Sequence, residues 1–514
     1  MLDLGRQPGL HLEVVLPMSF RRGFARPALA VAVAAILVLV AVGVFRATHD
    51  SVASGGDGAT ESESNGTKGQ DGADTSWGSI DSLKEAEQGA GSRKRWLGVP
   101  AMTFDQVVGT VAMWPNRGDI EVRVKPVGDS WGTAQLIPDG RTAQGAEAAM
   151  VATDGAGTVT AAWVRTFAEQ QYELVTTTRT PRGEWAEPTV LGKATWIDES
   201  APVIDPHLAV GPDGSAAMSW TEESPTDPWD EDSVWQAHAV YRPAGRPWQR
   251  EVELGQRSAD PNQLGNEAGE VGIDNRGIAT VLVADERGTR AFRNEGRTWG
   301  AQEYLDKGAP TDMVVSPDGT TSVVLITQHN RGTRSWSEVR ARSRENGVWT
   351  PPKRLAPPHP TRRKGGSIYF DNPQLFLQSG ITTVALKSWD GPVQGFTRPP
   401  GGKFSATADI VKLTGDAADV NLVDIWGNQA GQVLVIWGDT GEDERPRMLY
   451  GAYRQKVDGP WRDPVMLSEE KSAMTEDSVL SWSGVTAVVY PNGAASVMWS
   501  DGHQVFTRSL GETR

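Results

Sequence analysis

The chain has 514 residues, with 65 acidic against 50 basic side chains and a net charge of −15. That balance argues against nucleic acid as a main partner, because phosphate backbones require clustered Lys and Arg. With no cysteine, the chain cannot use disulfides, thiol nucleophiles, iron–sulfur clusters, Cys-ligated zinc or lipoprotein-type acylation.

Residues 27–45 read PALAVAVAAILVLVAVGVF and carry no charge, which is long enough for a transmembrane helix. Arg21, Arg22 and Arg26 precede this run. Beyond Arg46 the flank is acidic, with Asp50, Asp57, Glu61, Glu63, Asp71 and Asp74 against Lys68. The positive-inside bias predicts a cytoplasmic tail over 1–26, a single-pass helix over 27–45 and an extracytoplasmic remainder in a cell membrane. The alternative is a secreted protein whose signal peptide is cleaved near Val52, Ala53 and Ser54, although no Ala-x-Ala follows the apolar run. Met18 is a second candidate start. Arg21, Arg22, Phe24 and Arg26 also resemble the twin-arginine export signal.

Residues 46–92 are rich in Gly, Ser, Asp, Glu and Thr. Such a segment cannot bury enough apolar surface to offset its ordering entropy, so a disordered spacer is expected there. The sequon at Asn65 reads as chance.

From residue 93 onward the chain repeats. In one unit, residues 207–211 read HLAVG, Pro212, Asp213 and Gly214 make a turn, and 215–220 read SAAMSW. After a loop come 234–242, VWQAHAVYR, and 248–254, WQREVEL. Four alternating runs separated by turn residues predict four antiparallel strands, A to D. Strand B closes at Trp114, Trp163, Trp220, Val283, Leu325, Leu386, Trp437 and Trp499, at intervals of 42 to 63 residues. Strand D opens near Trp131, Trp185, Trp248, Trp299, Trp349, Phe404 and Trp461. A four-stranded unit at this spacing predicts an all-β fold, a β-propeller over 93–514. Eight blades are favoured and seven are the alternative, because the fourth and sixth units are degenerate. The eighth D strand is missing downstream. Residues 93–100, with Trp96, are expected to supply it and close the ring. The periodic tryptophans are expected between blades.

The hairpins at Pro212-Asp213-Gly214, Pro317-Asp318-Gly319 and Pro491-Asn492-Gly493 resemble the TolB-type, WD40-like propeller repeat. The whole unit is similar to the sialidase-like propeller repeats of bacterial secreted proteins. These resemblances cover about residues 93–510 and imply fold, not activity. Ser316-Pro317-Asp318-Gly319 departs from the sialidase Asp-box, with Gly one position early. The sialidase catalytic set does not map onto this sequence.

No dinucleotide, Walker, zinc-protease or nucleophile-elbow motif occurs, and none of the seven His stands at ligand spacing with another. In an antiparallel blade the B–C and D–A connections share one face, where the longer segments gather and binding residues are expected. Trp196, Trp229, Trp336 and Trp426 fall outside the repeat and are candidate stacking platforms. The basic segment with Arg362, Arg363, Lys364, Tyr369 and Phe370 suits an anionic ligand. Two B–C loops, 221–233 and 438–448, are acidic, the second with Asp439 and Glu442. In the first, Asp227, Asp230 and Asp232 are candidate calcium ligands, against the plainer reading of solvated charge; no other cofactor is expected. The expected role is a membrane-tethered, monomeric ectodomain binding an envelope protein or glycan. The alternatives are a glycan-acting hydrolase or lyase with its site on the propeller axis, and a structural or sensory ectodomain.

Overall fold

The computed structural model describes residues 77–85 and 99–511. Excepted are 117, 138–144, 168–170, 196–202, 226–232, 256–266, 286, 297, 301, 332–333, 356–369, 379, 389–392, 405–407, 412–419, 440–447, 457–458, 470–483 and 502. The apolar run 27–45 and most of the expected spacer lie outside the described residues. Among the described residues no helix is long and apolar enough to cross a membrane.

The described chain forms eight antiparallel sheets. They are blade 1 (101–136), blade 2 (145–195), blade 3 (203–254), blade 4 (267–306), blade 5 (309–354), blade 6 (370–411), blade 7 (420–466) and blade 8 (485–510 with 77–85). The fold is therefore an eight-bladed propeller, and the seven-bladed alternative falls. The fourth and sixth units, degenerate in sequence, are complete four-stranded blades. Each innermost strand contacts the next around the ring, and Val485–Val489 returns to Ala101–Asp105.

Each blade runs A to D from the inside outward because short turns force consecutive strands to pair. Most of the A–B turns share one chemistry. In blade 4 the Asp274 carboxylate accepts from the Arg276 and Ile278 amides at 3.0 and 2.9 Å. In blade 7 the Asn428 side-chain oxygen accepts from the Ala430 and Gln432 amides at 3.0 and 3.1 Å. The turn then needs a left-handed residue, and Gly277 (φ 75°) and Gly431 (φ 77°) supply it without steric cost.

The core is divided into eight apolar clusters, one between each pair of adjacent blades. The strand-B tryptophans Trp114, Trp163, Trp220, Trp437 and Trp499 are buried in five of them. Every cluster also packs one aromatic from the start of a D strand. Trp131, Trp185, Trp248, Trp299, Trp349, Phe404 and Trp461 serve seven interfaces. Several of these rings lie under an arginine from the end of strand C, as Arg242 over Trp248 at 5.1 Å and Arg454 over Trp461 at 4.9 Å.

The eighth interface corrects the expected closure. Its aromatic is Trp77, and the outermost strand of blade 8 is Trp77–Glu85, paired with Gln504–Leu510 from Trp77↔Leu510 to Glu85↔Gln504. Trp96 lies outside the described residues. An N-terminal segment does complete the last blade, but it is 77–85, inside the stretch expected to be spacer. The low apolar content of 77–85 hid it. As an outermost strand it needs little apolar surface of its own, since only Trp77, Ile80 and Leu83 pack inward.

Candidate functional site

The B–C and D–A face is built on the upper ends of the innermost strands, and there most of these strands are irregular. Six of the eight A strands carry a register shift: at Glu147/Met150, Ile204/His207, Ala268/Val271, Pro310/Asp312, Asp371/Gln374 and Leu422/Asp424. Only blades 1 and 8 run straight. The sequence explains some of these bulges. Pro206 and Pro373 stand inside two of them, where a missing N–H costs the ladder nothing.

Bulges free backbone groups, and the neighbouring blade satisfies them. At the blade 4 bulge the Ser219 hydroxyl of blade 3 donates to the Gly269 carbonyl at 2.9 Å. The Thr221 hydroxyl accepts from the Ala268 amide at 2.9 Å. At blade 5 the Asp312 carboxylate accepts from the Leu375 amide of blade 6 at 2.6 Å. The rim of the loop face is thus a stiff, cross-linked platform.

Polar groups on the described part of this face are mostly paired with one another. In blade 2, Arg165 lies 2.5 Å from Glu173, which also holds Lys193 at 2.8 Å. Burial pushes the Glu173 carboxyl up, but the hydrogen bonds from Lys193 and Arg165 outweigh it and leave the pKa lowered. Between blades 4 and 5, Arg340 bridges Glu338 at 2.8 Å and Asp306 at 3.1 Å. His329 and Arg354 add to Glu338 at 3.3 and 3.6 Å. The first network ties strands B, C and D of one blade and the second joins two blades, and both leave little net charge to attract a ligand.

Two groups stand apart. Glu147, at the blade 2 bulge, reaches water, yet the protein around it raises its carboxyl above the ordinary value. Burial and the charge of Glu147 push the Tyr172 phenol up to about 12. The second group is Glu222, His238 and Glu251 of blade 3, from strand B, strand C and the approach to strand D. The ring of His238 stacks on Trp220, centroids 5.5 Å apart and planes 12° from parallel. Its Nε2 is 3.5 Å from Glu222 and its Nδ1 is 2.5 Å from Glu251. These three are the group among the described residues able to hold a metal ion.

None of this was foreseen from sequence, where no His stood at ligand spacing. Three strands had to be brought into register first. The one legible signal was the alternation that puts Trp220 and Glu222 on one face of strand B. Of the expected site residues, Trp196, Trp229, Arg362, Arg363, Tyr369, Glu442, Asp227, Asp230 and Asp232 lie outside the described residues. Asp439 closes strand B of blade 7, opposite Val420; its side chain is outside the described set, as is that of Trp336. Trp426 is no stacking platform. It is 5% exposed in the core between blades 7 and 8, because strand A of blade 7 turns that face inward.

No family model matches the chain, and no curated protein matches it. Among solved structures it is similar to the lectin BP39L from Burkholderia pseudomallei, at 14% identity and a TM-score of 0.40, over 73% of this chain and 99% of that one. It is also similar to the Hadza microbial sialidase Hz136, at 11% identity and a TM-score of 0.38, over 76% and 72%. A third is a polysaccharide lyase of family PL25, an ulvan lyase, at 10% identity and a TM-score of 0.39, over 68% and 89%. Likeness at this level says nothing of ligand or substrate for this chain.

Proposed function

We propose that the chain is a membrane-tethered, extracytoplasmic binding module that holds an envelope protein or glycan on the loop face of its propeller. The observation that carries this reading is the unequal construction of the two faces. On one, the A–B connections are tight turns, most of them closed by Asp or Asn side chains. On the other, bulged and cross-linked A strands carry the long D–A connections over 255–266, 355–369 and 467–484. Variable segments on a rigid rim are the usual construction of a recognition surface. The B–C connections contribute less than their sequence implied. Apart from 226–232 and 440–448 they are short hairpins, since strands such as Thr321–Arg331 and Arg334–Glu345 run nearly into each other.

The tether rests on the apolar run 27–45 and the charge asymmetry around it.

The test is retention of envelope components by the full chain in a membrane mimic, with a glycan array alongside. Replacing 356–369 and 470–483 by short Gly/Ser connections should abolish retention, while substitutions in the A–B turns should leave it intact. Retention that survives the loop replacements would refute the reading. Turnover of an arrayed glycan would favour the hydrolase or lyase alternative.

A further inference from the structure

We propose that Glu222, His238 and Glu251 form a binding site for a first-row divalent transition metal ion, with zinc as its representative, on the flank of blade 3 that faces blade 2. The site is independent of what the loop face binds.

The strand register brings these groups together. Trp220 stands directly opposite His238, and Glu222 directly opposite Gln236. Directly opposed residues of an antiparallel pair point to the same face, so all four share one side of the sheet. That side carries the cluster joining Met218, Trp220 and Val240 to blade 2. Glu251 arrives from the segment leading into Val252–Leu254, which pairs with strand C beside His238.

Two observations support cation binding here. The side chain of His238 is 8% exposed and its Nδ1 sits 2.5 Å from Glu251, yet this nitrogen makes no hydrogen bond. The oxygen therefore lies off the N–H direction, and the contact is electrostatic without being a well-formed donor–acceptor pair. Gln236 is the second. Its amide nitrogen donates to the carbonyls of Ala237 and Leu254 at 3.1 and 2.9 Å. That fixes the amide orientation and leaves Oε1 buried without a partner. An orphaned acceptor opposite Glu222 is costly unless a positive charge or a donor comes near.

The donor set selects the ion. Calcium and magnesium take oxygen ligands, whereas an imidazole with carboxylates suits zinc and its first-row neighbours. Two carboxylates and a neutral imidazole also balance a divalent charge. The ligand atoms lie within 4.8 Å of one another, wider than the roughly 3.3 Å expected between ligands of a tetrahedral zinc bound at about 2.0–2.1 Å. The imidazole gives one nitrogen to the ion, and since Glu222 and Glu251 stand at different ring nitrogens, the carboxylate at the other nitrogen must swing round to join it. Glu222 and Glu251 are 27% and 32% exposed and have room to swing, while the Trp220 stack holds the imidazole in place. Three protein ligands leave an open position for water. Bound there, the ion would link strands B, C and D of one blade.

The competing explanation is an imidazolium clamped by two carboxylates with no metal. Titration of the full chain with zinc, followed by calorimetry, separates the two. We expect one saturable site, a zinc-dependent rise in Tm, and a visible absorption band when cobalt replaces zinc. Glu251→Gln and Glu222→Gln should each weaken binding at least about tenfold and remove the cobalt band, with the metal-free Tm close to that of the parent chain. Two variants are used so that a folding defect in one leaves the other informative. No heat and no cobalt band at millimolar metal, or binding equal in parent and variants, would overturn the site.

Discussion

The Tyr241 phenol donates to the Gly277 carbonyl at 2.6 Å, tying strand C of blade 3 to the A–B turn of blade 4. Four blades on, Tyr453 repeats the contact with the Gly493 carbonyl of blade 8 at 2.8 Å. Both phenols are buried. The ring is therefore held by polar latches as well as by its apolar clusters, and each latch reaches a turn whose glycine carbonyl has no ladder partner.

Tyr241→Phe and Tyr453→Phe should each cost about 1 kcal/mol in denaturant unfolding, with the slope unchanged. The latch also predicts alkaline behaviour. Burial pushes Tyr453 up to about 12, against about 10 in the unfolded chain. The folded state thus holds the proton more tightly, and its contribution is complete below about pH 10 and lost as pH rises towards about 12. Stability measured from pH 9 to 12 should fall over that window, and less steeply in Tyr453→Phe. Identical slopes in the two proteins would remove Tyr453 as the cause.

Glu173 predicts the opposite limb. Its carboxyl is lowered, despite burial, by Lys193 and Arg165. Its contribution is therefore present above the ordinary carboxylate range and is lost as pH falls through the folded pKa. Glu173→Gln should leave Arg165, 2% exposed, without a counter-charge and cost about 3–5 kcal/mol at neutral pH. It should also flatten the loss of stability on acidification. An acid profile unchanged from the parent would assign that loss to other carboxylates.

Ring closure can be tested at its two candidate tryptophans. Trp77→Ala should lower stability by about 2–3 kcal/mol, less than a fully buried tryptophan because Trp77 is only partly covered. Trp96→Ala should have little effect. A chain whose residues 77–85 are replaced by a Gly/Ser segment should lose more than Trp77→Ala and self-associate through the opened edge of Gln504–Leu510. A larger loss from Trp96→Ala than from Trp77→Ala would return closure to the later segment.

Gly192, in the outermost strand of blade 2, faces the Trp220 ring of blade 3, and a Cβ there would lie 2.9 Å from that ring. Gly192→Ala should cost about 1–3 kcal/mol by overpacking the interface. Combined with Trp220→Phe, the two effects should be less than additive, since the smaller ring makes room for the methyl group. Additive losses in thermal or urea unfolding would mean that the two residues do not press on each other.

The sequence by itself determined the repeat. An Asp or Asn with a Gly within three residues after it fixes most A–B turns through side-chain oxygens a few residues from the amides they accept, as at Asp274 and Asn428. Alternation then fixes which face of strand B turns inward, so Trp114, Trp163, Trp220, Trp437 and Trp499 could be placed between blades from their spacing. These are local facts, settled by neighbours within a strand and a turn. The tertiary structure decided what depends on distant partners. Whether 77–85 or 93–100 closes the ring is a choice between two short segments for the free edge of Gln504–Leu510, some four hundred residues away, and local composition favoured the wrong one. Trp426 looked free because it broke the repeat, but strand A of blade 7 buries it against blade 8. Glu222, His238 and Glu251 meet only because strands B, C and D of blade 3 pair in one register. A single-residue slip would turn His238 to the opposite face, away from Glu222, and no spacing along the chain records which register holds.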